Sequence, residues 1–250
     1  MSRAMRLALL ILAALLAAQT PGARALDFET RRMLNAEESE PWRGIGRVNV
    51  ATERQTGMCT GTLIATDVVL TAAHCVIDPA TGAAFRPGNV HFVAGWRLGQ
   101  RAAHRLAAAI AVHPAYVHAS RLEPVQVARD SAVIRLEEEI GDETALSFPV
   151  GAPRSADEPL TVVSYRQDRP HALTRQGGCM LLGARDGALA LDCPITFGVS
   201  GSPVFRVGGE VPQVVAVISA MGGIDGHEVA FAAPVAGALP LLLPLLSPSP

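Results

Sequence analysis

The hydrophobic residues of this chain fall into many short segments that are separated by glycine, proline and charged residues. Most of these segments are four to seven residues long and rich in valine, isoleucine, leucine and threonine. Short segments of this kind, bounded by turn residues, are typical of strands. Many of them in succession indicate an all-β sandwich or barrel. The predicted strands are 45–50, 59–65, 68–71, 91–94, 132–136, 160–165, 188–193, 214–219 and 228–232.

Two segments fit this pattern less clearly. Residues 106–112 are ambiguous, because their alanines favour a helix while the following His113 and Pro114 favour the end of a strand. The apolar run 239–246 contains two prolines, so it is predicted to be a terminal helix or strap rather than a membrane span.

Residues 141–159 are rich in glycine, proline, serine and acidic residues. Such a composition is typical of a linker. We therefore predict two halves of one domain, an N-terminal half at 41–140 and a C-terminal half at 160–250.

The first 25 residues have the organisation of a secretory signal peptide. Arg3 and Arg6 precede an uninterrupted apolar run at 7–18, and a small-x-small cleavage pattern ends at Ala25. The run is well short of the roughly 20 residues that span a membrane, so a stable anchor is not expected. We expect cleavage near Ala25 and export to the periplasm or the medium. Residues 26–40 would then be a leader or propeptide.

The four cysteines all follow this segment, and an exported chain meets an oxidising environment in which cysteines pair. Four cysteines allow three connectivities. The sequence-local one joins Cys59 to Cys75 and Cys179 to Cys193, and each bond would stabilise the fold by about 3 kcal/mol on the chain-entropy model. A zinc site is the alternative, but the chain has no C-x-x-C or H-x-x-x-H spacing.

Composition excludes several classes of function. A formal net charge of -2 offers no basic surface of the kind that neutralises phosphates, so nucleic acid is not expected as a partner. All 21 basic residues are arginine, which excludes a lysine nucleophile and a phosphate-binding G-x-x-x-x-G-K loop.

Three segments contain the parts of a serine nucleophile site. They are TAAHC at 71–75, DSAVIRL at 130–136 and GVSGSP at 198–203. A serine hydroxyl needs a base to take its proton, and an imidazole that titrates near neutrality is suited to this. A carboxylate fixes the imidazole tautomer. Ser200, His74 and Asp130 supply these groups, and the glycines beside Ser200 permit a tight turn whose N–H groups can bind an oxyanion.

These segments, together with CTGTLI at 59–64, resemble the trypsin/chymotrypsin superfamily of serine peptidases, in which histidine, aspartate and serine follow in the same order. PWRGIGR at 41–47 and SGSPV at 200–204 resemble the bacterial branch that includes the glutamyl endopeptidases. The interval from Cys59 to His74 also suits the disulfide that pins the histidine loop in this superfamily.

The resemblance covers most of the chain, from about residue 41 to 234. It implies two antiparallel six-stranded β-barrels with the active site in the cleft between them. The histidine and aspartate would come from the first barrel and the serine from the second. The backbone N–H groups of Gly198 and Ser200 would form the oxyanion hole, and Ser219 would support the acid.

One position beside the nucleophile departs from the pattern of the animal enzymes. They have an aspartate there, which pairs with a newly cut N-terminus, and this chain has Val199. An apolar side chain cannot form that ion pair, so activity is not expected to depend on a buried free N-terminus.

The resemblance also locates the residues of the substrate pocket. They are Pro194, Ile195, Ser219, Ala220 and Met221. This set has neither the histidine that accompanies glutamyl specificity nor an acid for arginine or lysine, although Asp225 or Glu228 could approach from the following loop. We therefore expect a neutral or apolar residue before the cut.

The sequence thus predicts a secreted serine endopeptidase that acts on proteins or peptides as a monomer, without a cofactor or metal. The main alternative is an inactive homologue that acts as a binding module. An α/β-hydrolase esterase needs an acid and then a histidine after the serine, and only His227 follows Ser200. A generic disulfide-bonded barrel would leave the three segments unexplained. The remaining histidines show no metal-like spacing and are expected to be structural or exposed: His91, His104, His113, His118, His171 and His227.

Overall fold

A computed structural model describes residues 31–52, 56–118 and 123–246, and the predicted signal peptide lies outside them. Antiparallel strands are the main secondary structure of this part of the chain. The strands are β1 (Arg31–Met33), β2 (Ile45–Ala51), β3 (Thr56–Ala65), β4 (Val68–Thr71), β5 (Val90–Ala94), β6 (Ala103–Val112), β7 (Ala132–Leu136), β8 (Leu160–Arg166), β9 (Arg169–Cys179), β10 (Leu181–Arg185), β11 (Ala188–Leu191), β12 (Pro203–Arg206), β13 (Gln213–Ile224) and β14 (His227–Pro234).

The all-β prediction is confirmed, and the ambiguous segment 106–112 belongs to β6. Its buried residues Ala103 and Ala107 face the core of the first half, whereas Ala111 is buried in the cluster between the two halves. Their small side chains let neighbouring elements pack closely. Four strands were not predicted from the sequence, namely β1, β9, β10 and β12. The longest of them, β9, begins with Arg-Pro-His and mixes polar residues with few apolar ones, so its sequence resembles a loop.

Strands β2 to β7 close into a six-stranded barrel in the order β2-β3-β4-β7-β6-β5. Strand β2 shows how the sequence specifies it, because Val48 and Val50 face the core while Arg47 and Asn49 face outward. The core of the barrel is apolar and includes Leu63 and other fully buried side chains. This barrel carries two of the three residues expected to do chemistry.

The second half forms an eight-stranded sheet in the order β1-β9-β8-β12-β13-β14-β11-β10. It has more strands than the six expected, because β1 pairs with the free edge of β9 and β10 pairs with β11 at the other edge. Added strands cover edges that would otherwise expose unpaired backbone groups.

The segment after β1 is packed into the fold. Leu34 is only 1% exposed, and its N–H donates to the carbonyl of Leu173 over 2.9 Å. Its own carbonyl accepts a hydrogen bond of 2.9 Å from Arg97 Nη1. Asn35 then caps helix α1 (Ala36–Ser39) with a capping box. The leader at 26–40 stays a prediction, and of its described part Arg31–Met33 pairs in the second sheet while Leu34 is buried in the fold.

We expect Leu34→Ala to lower the free energy of unfolding by about 2–5 kcal/mol, because it leaves a cavity in a well-packed site. Urea unfolding of the chain that begins at residue 26 measures this. Leu245→Ala is the control, since Leu245 is 54% exposed and its truncation should change stability little. Equal effects of the two substitutions would show that the N-terminal segment does not stabilise the domain.

An aromatic cluster joins the two halves. The rings of Trp42, Phe148 and Phe205 lie 4.9–5.8 Å apart between centroids. The connecting residues are tied to both halves as well, since Phe148 donates to Leu63 in β3 and Gly151 donates to Val214 in β13. The relative position of the two halves is therefore fixed by packing and by hydrogen bonds.

A short helix α2 (Pro124–Val127) precedes β7. The described part of the chain ends, as predicted, in a short helix α3 (Leu239–Leu242) and a 3₁₀ turn (Leu243–Leu246). Leu242 and Leu246 are buried in the cluster that joins the halves. None of the helices within the described ranges has the length and apolar character needed to cross a membrane.

Candidate active site

His74 lies in a 3₁₀ turn (Ala73–Cys75) that directly follows β4. The disulfide between Cys59 and Cys75 ties this turn to β3. The second disulfide joins Cys179 to Cys193 in the other half, so the sequence-local pairing is confirmed. The position of the His74 imidazole is therefore set by β4, which precedes its turn, and by the Cys59–Cys75 disulfide, which lies at the end of that turn.

Asp130 is the buried partner of His74. Its carboxylate is 1% exposed and accepts hydrogen bonds from His74 Nδ1 (2.7 Å), from the His74 backbone N–H (2.9 Å) and from the hydroxyl of Ser219 (2.5 Å). Three donors satisfy the acceptor oxygens of this buried carboxylate. Ser219 comes from β13, so the hydrogen-bonded group joins both halves of the molecule.

The pKa of His74 reflects two opposing effects. Burial of the imidazole acts to lower its pKa, but the charge of Asp130 and the hydrogen bond to it outweigh burial and raise the pKa above its ordinary value. With Nδ1–H donating to Asp130, the lone pair of a neutral His74 is on Nε2. The arrangement suits a base that takes a proton at Nε2.

Ser200 is partly exposed and lies on a turn that docks against the first barrel. The Ser200 carbonyl accepts a hydrogen bond of 2.9 Å from the Thr60 N–H in β3. Gly201 has a φ of +74°, and a Cβ there would collide with backbone atoms of Thr60 and the Thr71 side chain, in the strand that leads to His74. Only glycine fits this close approach. The Ser200 hydroxyl makes no hydrogen bond to any of the described residues. The Nε2 atom of His74 lies 3.7 Å from Cys75 Sγ.

The turn leaves two backbone donors without partners. Among the described residues, the N–H groups of Gly198 and Ser200 make no hydrogen bond, whereas the intervening Val199 N–H donates to the Thr196 carbonyl over 3.3 Å. The turn around Gly198, whose φ is +88°, therefore keeps two backbone donors available, the N–H of Gly198 and that of Ser200 itself. Available donors of this kind can bind an oxygen on which negative charge develops.

Residues 59–217, more than half of the chain, match the family model of the trypsin-like peptidase domain. The chain belongs to the trypsin-like peptidase family. The expected relationship to this superfamily is thus confirmed, and with it the assignment to the serine peptidases.

Three solved structures share the fold of this trypsin-like peptidase. The thermostable serine protease AL20 from an extremophilic microorganism has a TM-score of 0.63 at 19% identity, over 78% of this chain and 92% of its own. A Glu endopeptidase in complex with MPD has a TM-score of 0.69 at 18% identity, over 84% and 94%. The secreted serine protease VesC from Vibrio cholerae has a TM-score of 0.63 at 16% identity, over 83% and 46%. No curated protein matches the sequence.

A mainly apolar cavity of about 680 Å³ lies beside β13 and β14 of the peptidase. Of the expected pocket residues, Ala220 and Met221 line it, whereas Pro194 and Ile195 do not, and Ser219 instead donates to Asp130. The lining residues that the sequence did not indicate come from β10, β11, β13, β14 and the short helix α2 (Pro124–Val127). They include Val127, Leu182, Ile224 and Phe231.

The surroundings of Pro194 also differ from expectation. The Pro194 carbonyl accepts a hydrogen bond of 3.3 Å from Arg31 Nη1 in β1, which places a cation against a residue that the sequence assigned to the pocket. Asp225 and Glu228, named as possible acids, are not among the residues that line the apolar cavity. Nothing in the sequence around Arg31 indicated this contact, because strand β1 was itself unforeseen.

The described part of the chain has one group whose atoms lie as close as metal ligands, formed by Cys59, His74 and Cys75. The two sulfurs form the disulfide, so neither is a thiolate that could bind a metal. Two other histidines lie on neighbouring strands of the barrel, His91 on β5 and His104 on β6. Their Nδ1 and Nε2 atoms, respectively, are 3.0 Å apart. Their rings are nearly coplanar, which is the geometry of an N–H···N hydrogen bond.

Proposed function

We propose that this trypsin-like peptidase is an exported serine endopeptidase in which Ser200, His74 and Asp130 form the catalytic triad. The observation that carries the proposal is the buried Asp130 carboxylate. It accepts a hydrogen bond of 2.7 Å from His74 Nδ1 and a second one from the hydroxyl of Ser219, which comes from the other half. A structural histidine needs no such buried, threefold hydrogen-bonded carboxylate. The docked turn with two unpaired N–H groups beside Ser200 supports the same function.

The proposed reaction uses these groups in the following steps. His74 Nε2 takes the proton of the Ser200 hydroxyl while Oγ attacks the peptide carbonyl carbon, and the N–H groups of Gly198 and Ser200 stabilise the resulting oxyanion. The protonated imidazole gives its proton to the leaving amine as the C–N bond breaks, which leaves an ester on Ser200. Water then attacks the ester carbon while His74 takes a proton from it, and the imidazolium returns that proton to Ser200 Oγ as the C–O bond of the ester breaks. This step releases the acid product and restores the serine hydroxyl and the neutral imidazole.

The direct test is labelling with a fluorophosphonate probe, with the adduct mapped by mass spectrometry. An adduct on Ser200 that is lost in both Ser200→Ala and His74→Ala supports the triad. A folded, disulfide-bonded protein that does not label would overturn the proposal. It would favour the alternative of an inactive homologue that acts as a binding module.

The pH dependence of kcat/KM tests the role of His74. The imidazole must be neutral to take the serine proton, and its pKa is raised by Asp130 above the ordinary value of about 6.5. We therefore expect kcat/KM to be low in acid and to rise as the pH passes above that ordinary value. Initial rates on a peptide amide from pH 5 to about 9 measure this. An acidic limb centred below about pH 6 would contradict the raised pKa.

We also propose that the apolar cavity binds an apolar side chain of the substrate, in keeping with the expected neutral or apolar preference before the cut. Met221→Glu should lower kcat/KM on apolar peptides about tenfold or more, because it places a charge in an apolar site. Met33→Glu is the matched control, since Met33 is similarly exposed but lies on β1. A peptide library whose preferred residue before the cut is glutamate, arginine or lysine would refute the preference. A glutamate preference would direct attention to Arg31.

We propose export because two disulfides are present and because residues 1–25 have the pattern of a signal peptide. The partners would be protein or peptide substrates, and the enzyme would act as a monomer without a cofactor. N-terminal sequencing of the protein recovered outside the cytoplasm would show whether the chain is cut near Ala25. An intact N-terminus inside the cell would contradict export.

A further inference from the structure

Thr60 connects the first barrel to the turn that carries Ser200. It follows Cys59 in β3 and is fully buried. Its backbone N–H donates to the Ser200 carbonyl over 2.9 Å, and its hydroxyl donates to the Gly198 carbonyl over 3.1 Å. A single residue of the first half thus holds the turn at two points.

The hydroxyl of Thr60 has a defined direction. It accepts a hydrogen bond of 3.0 Å from the Tyr165 N–H, so its own proton points elsewhere. Two carbonyl oxygens lie within reach of this proton, that of Gly198 at 3.1 Å and that of Tyr165 at 3.5 Å. The hydroxyl makes the stronger hydrogen bond to Gly198, because that distance is shorter. The Thr60 carbonyl accepts from the Thr71 hydroxyl over 2.9 Å, so every polar group of Thr60 is used.

Hydrogen bonds to neighbouring carbonyls fix the two peptides that carry the unpaired N–H groups. The N–H of Gly198 belongs to the same peptide as the Phe197 carbonyl, which accepts from Gln167 N–H over 2.8 Å. In a trans peptide the N–H points away from the carbonyl, so this bond sets the direction of the Gly198 donor. The N–H of Ser200 is set in the same way by the bond of 3.0 Å from Ser202 N–H to the preceding carbonyl.

The peptide between these two donor peptides joins Gly198 to Val199, and its carbonyl is the one that accepts the Thr60 hydroxyl. Rotation of this peptide would change the angle between the two donors. Glycine at 198 adds freedom to such a rotation, and the buried side chain of Val199 is apolar and makes no hydrogen bond. The N–H of this peptide makes a hydrogen bond of 3.3 Å to the Thr196 carbonyl, and the bond of 3.1 Å from the Thr60 hydroxyl to its carbonyl is the shorter of the two.

We propose that Thr60 is a positioning residue for the oxyanion hole: its hydroxyl holds the peptide between Gly198 and Val199 so that the N–H groups of Gly198 and Ser200 converge on the substrate oxygen. This inference rests on the proposed serine peptidase function. It assigns to a barrel residue the task of keeping the turn organised in a chain that has no acid at position 199.

The test compares Thr60→Val, which removes the hydroxyl at constant shape, with Thr60→Ser, which keeps it. Thr62→Val is the matched control, because Thr62 lies two residues further along β3, is also fully buried, and its hydroxyl has no partner among the described residues. The values of kcat and KM are measured on a peptide amide, with kcat expressed per active site counted from the acylation burst.

We expect Thr60→Val to lower kcat roughly tenfold to hundredfold, less than the loss of a whole oxyanion donor, with KM changed by less than about twofold. Thr60→Ser should retain kcat within about threefold, and Thr62→Val should match the unchanged protein. Thr60→Ala is made in parallel, so that the test remains possible should Thr60→Val fail to fold. Its smaller side chain leaves room for a water molecule that can accept the Tyr165 N–H. We expect Thr60→Ala to lower kcat as much as Thr60→Val does.

An unchanged kcat per active site in Thr60→Val or Thr60→Ala would overturn the inference, as would an equal loss in Thr60→Ser, which would point to side-chain volume. A lower melting temperature with normal kcat would also overturn it, since that is a structural role alone. Failure of the unchanged protein to label with fluorophosphonate is a different result. It would overturn the proposed function, and the role of Thr60 with it.

Discussion

Replacing Asp130 with asparagine is expected to lower kcat about 10⁴-fold, because the imidazole would then have the wrong tautomer. The carboxylate accepts three hydrogen bonds, from His74 Nδ1, His74 N–H and the Ser219 hydroxyl. An amide has one oxygen and one NH₂ group, so it cannot accept all three. Its NH₂ group would donate to Nδ1 and shift the proton to Nε2, where it blocks proton transfer from Ser200. Steady-state rates on a peptide amide near pH 8 measure the loss.

Two further observations make this prediction specific. Ser219→Ala removes one of the three donors but leaves the tautomer unchanged, so its effect on kcat should be far smaller than that of Asp130→Asn. Circular dichroism should show that Asp130→Asn keeps the fold, since the substitution conserves shape. A loss of less than about tenfold in Asp130→Asn would mean that another group orients His74, and the assigned triad would be wrong.

The second large effect is expected from Gly198→Ala, which should lower kcat about 10²–10³-fold, as does the loss of one oxyanion donor. A Cβ at this position would lie 2.7 Å from the backbone nitrogen of Gln167. The Gln167 N–H donates to the Phe197 carbonyl, the bond that sets the direction of the Gly198 N–H. The added methyl group would therefore displace the donor itself. Burst kinetics with a peptide ester and a peptide amide measure kcat apart from active-site content.

Gly226→Ala is the control for this substitution. Gly226 has a similar φ of +81° but open space around its Cβ position, so the control isolates backbone strain from the collision. It should lower stability slightly and leave kcat unchanged. Equal kcat in Gly198→Ala and the unchanged protein would show that the substrate oxygen is stabilised by other groups.

The parts of the candidate site that the sequence predicted are those that a short motif specifies. His74 lies beside a cysteine that forms a disulfide, and Ser200 lies beside glycines that permit a tight turn. The two disulfides were predicted because their cysteines are only 16 and 14 residues apart. The pocket was less predictable, because residues of β10, β11, β13, β14 and α2 line it together, and no one segment contains it. Thr60 was missed because its role depends on an acceptor 138 residues away.

The fold shows the same division. Strands with β-branched residues, such as β4 and β13, were predicted because their side chains are buried on a core. Strand β1 consists of Arg-Arg-Met and becomes a strand by pairing with β9, because residues of this kind give no strand signal of their own. The eight-stranded sheet was therefore expected to be smaller than it is.

The position of β1 has a consequence for the time at which the enzyme gains activity. Strand β1 precedes the first barrel, yet its partner residues in β9 follow more than 140 residues later. The Ser219 hydroxyl that completes the hydrogen bonds of Asp130 is 89 residues beyond it. Pairings of such high contact order form late in folding, because loop closure must precede them. A chain whose last strands have not yet folded therefore lacks the Ser219 donor, and the candidate site is complete only when the second sheet has formed.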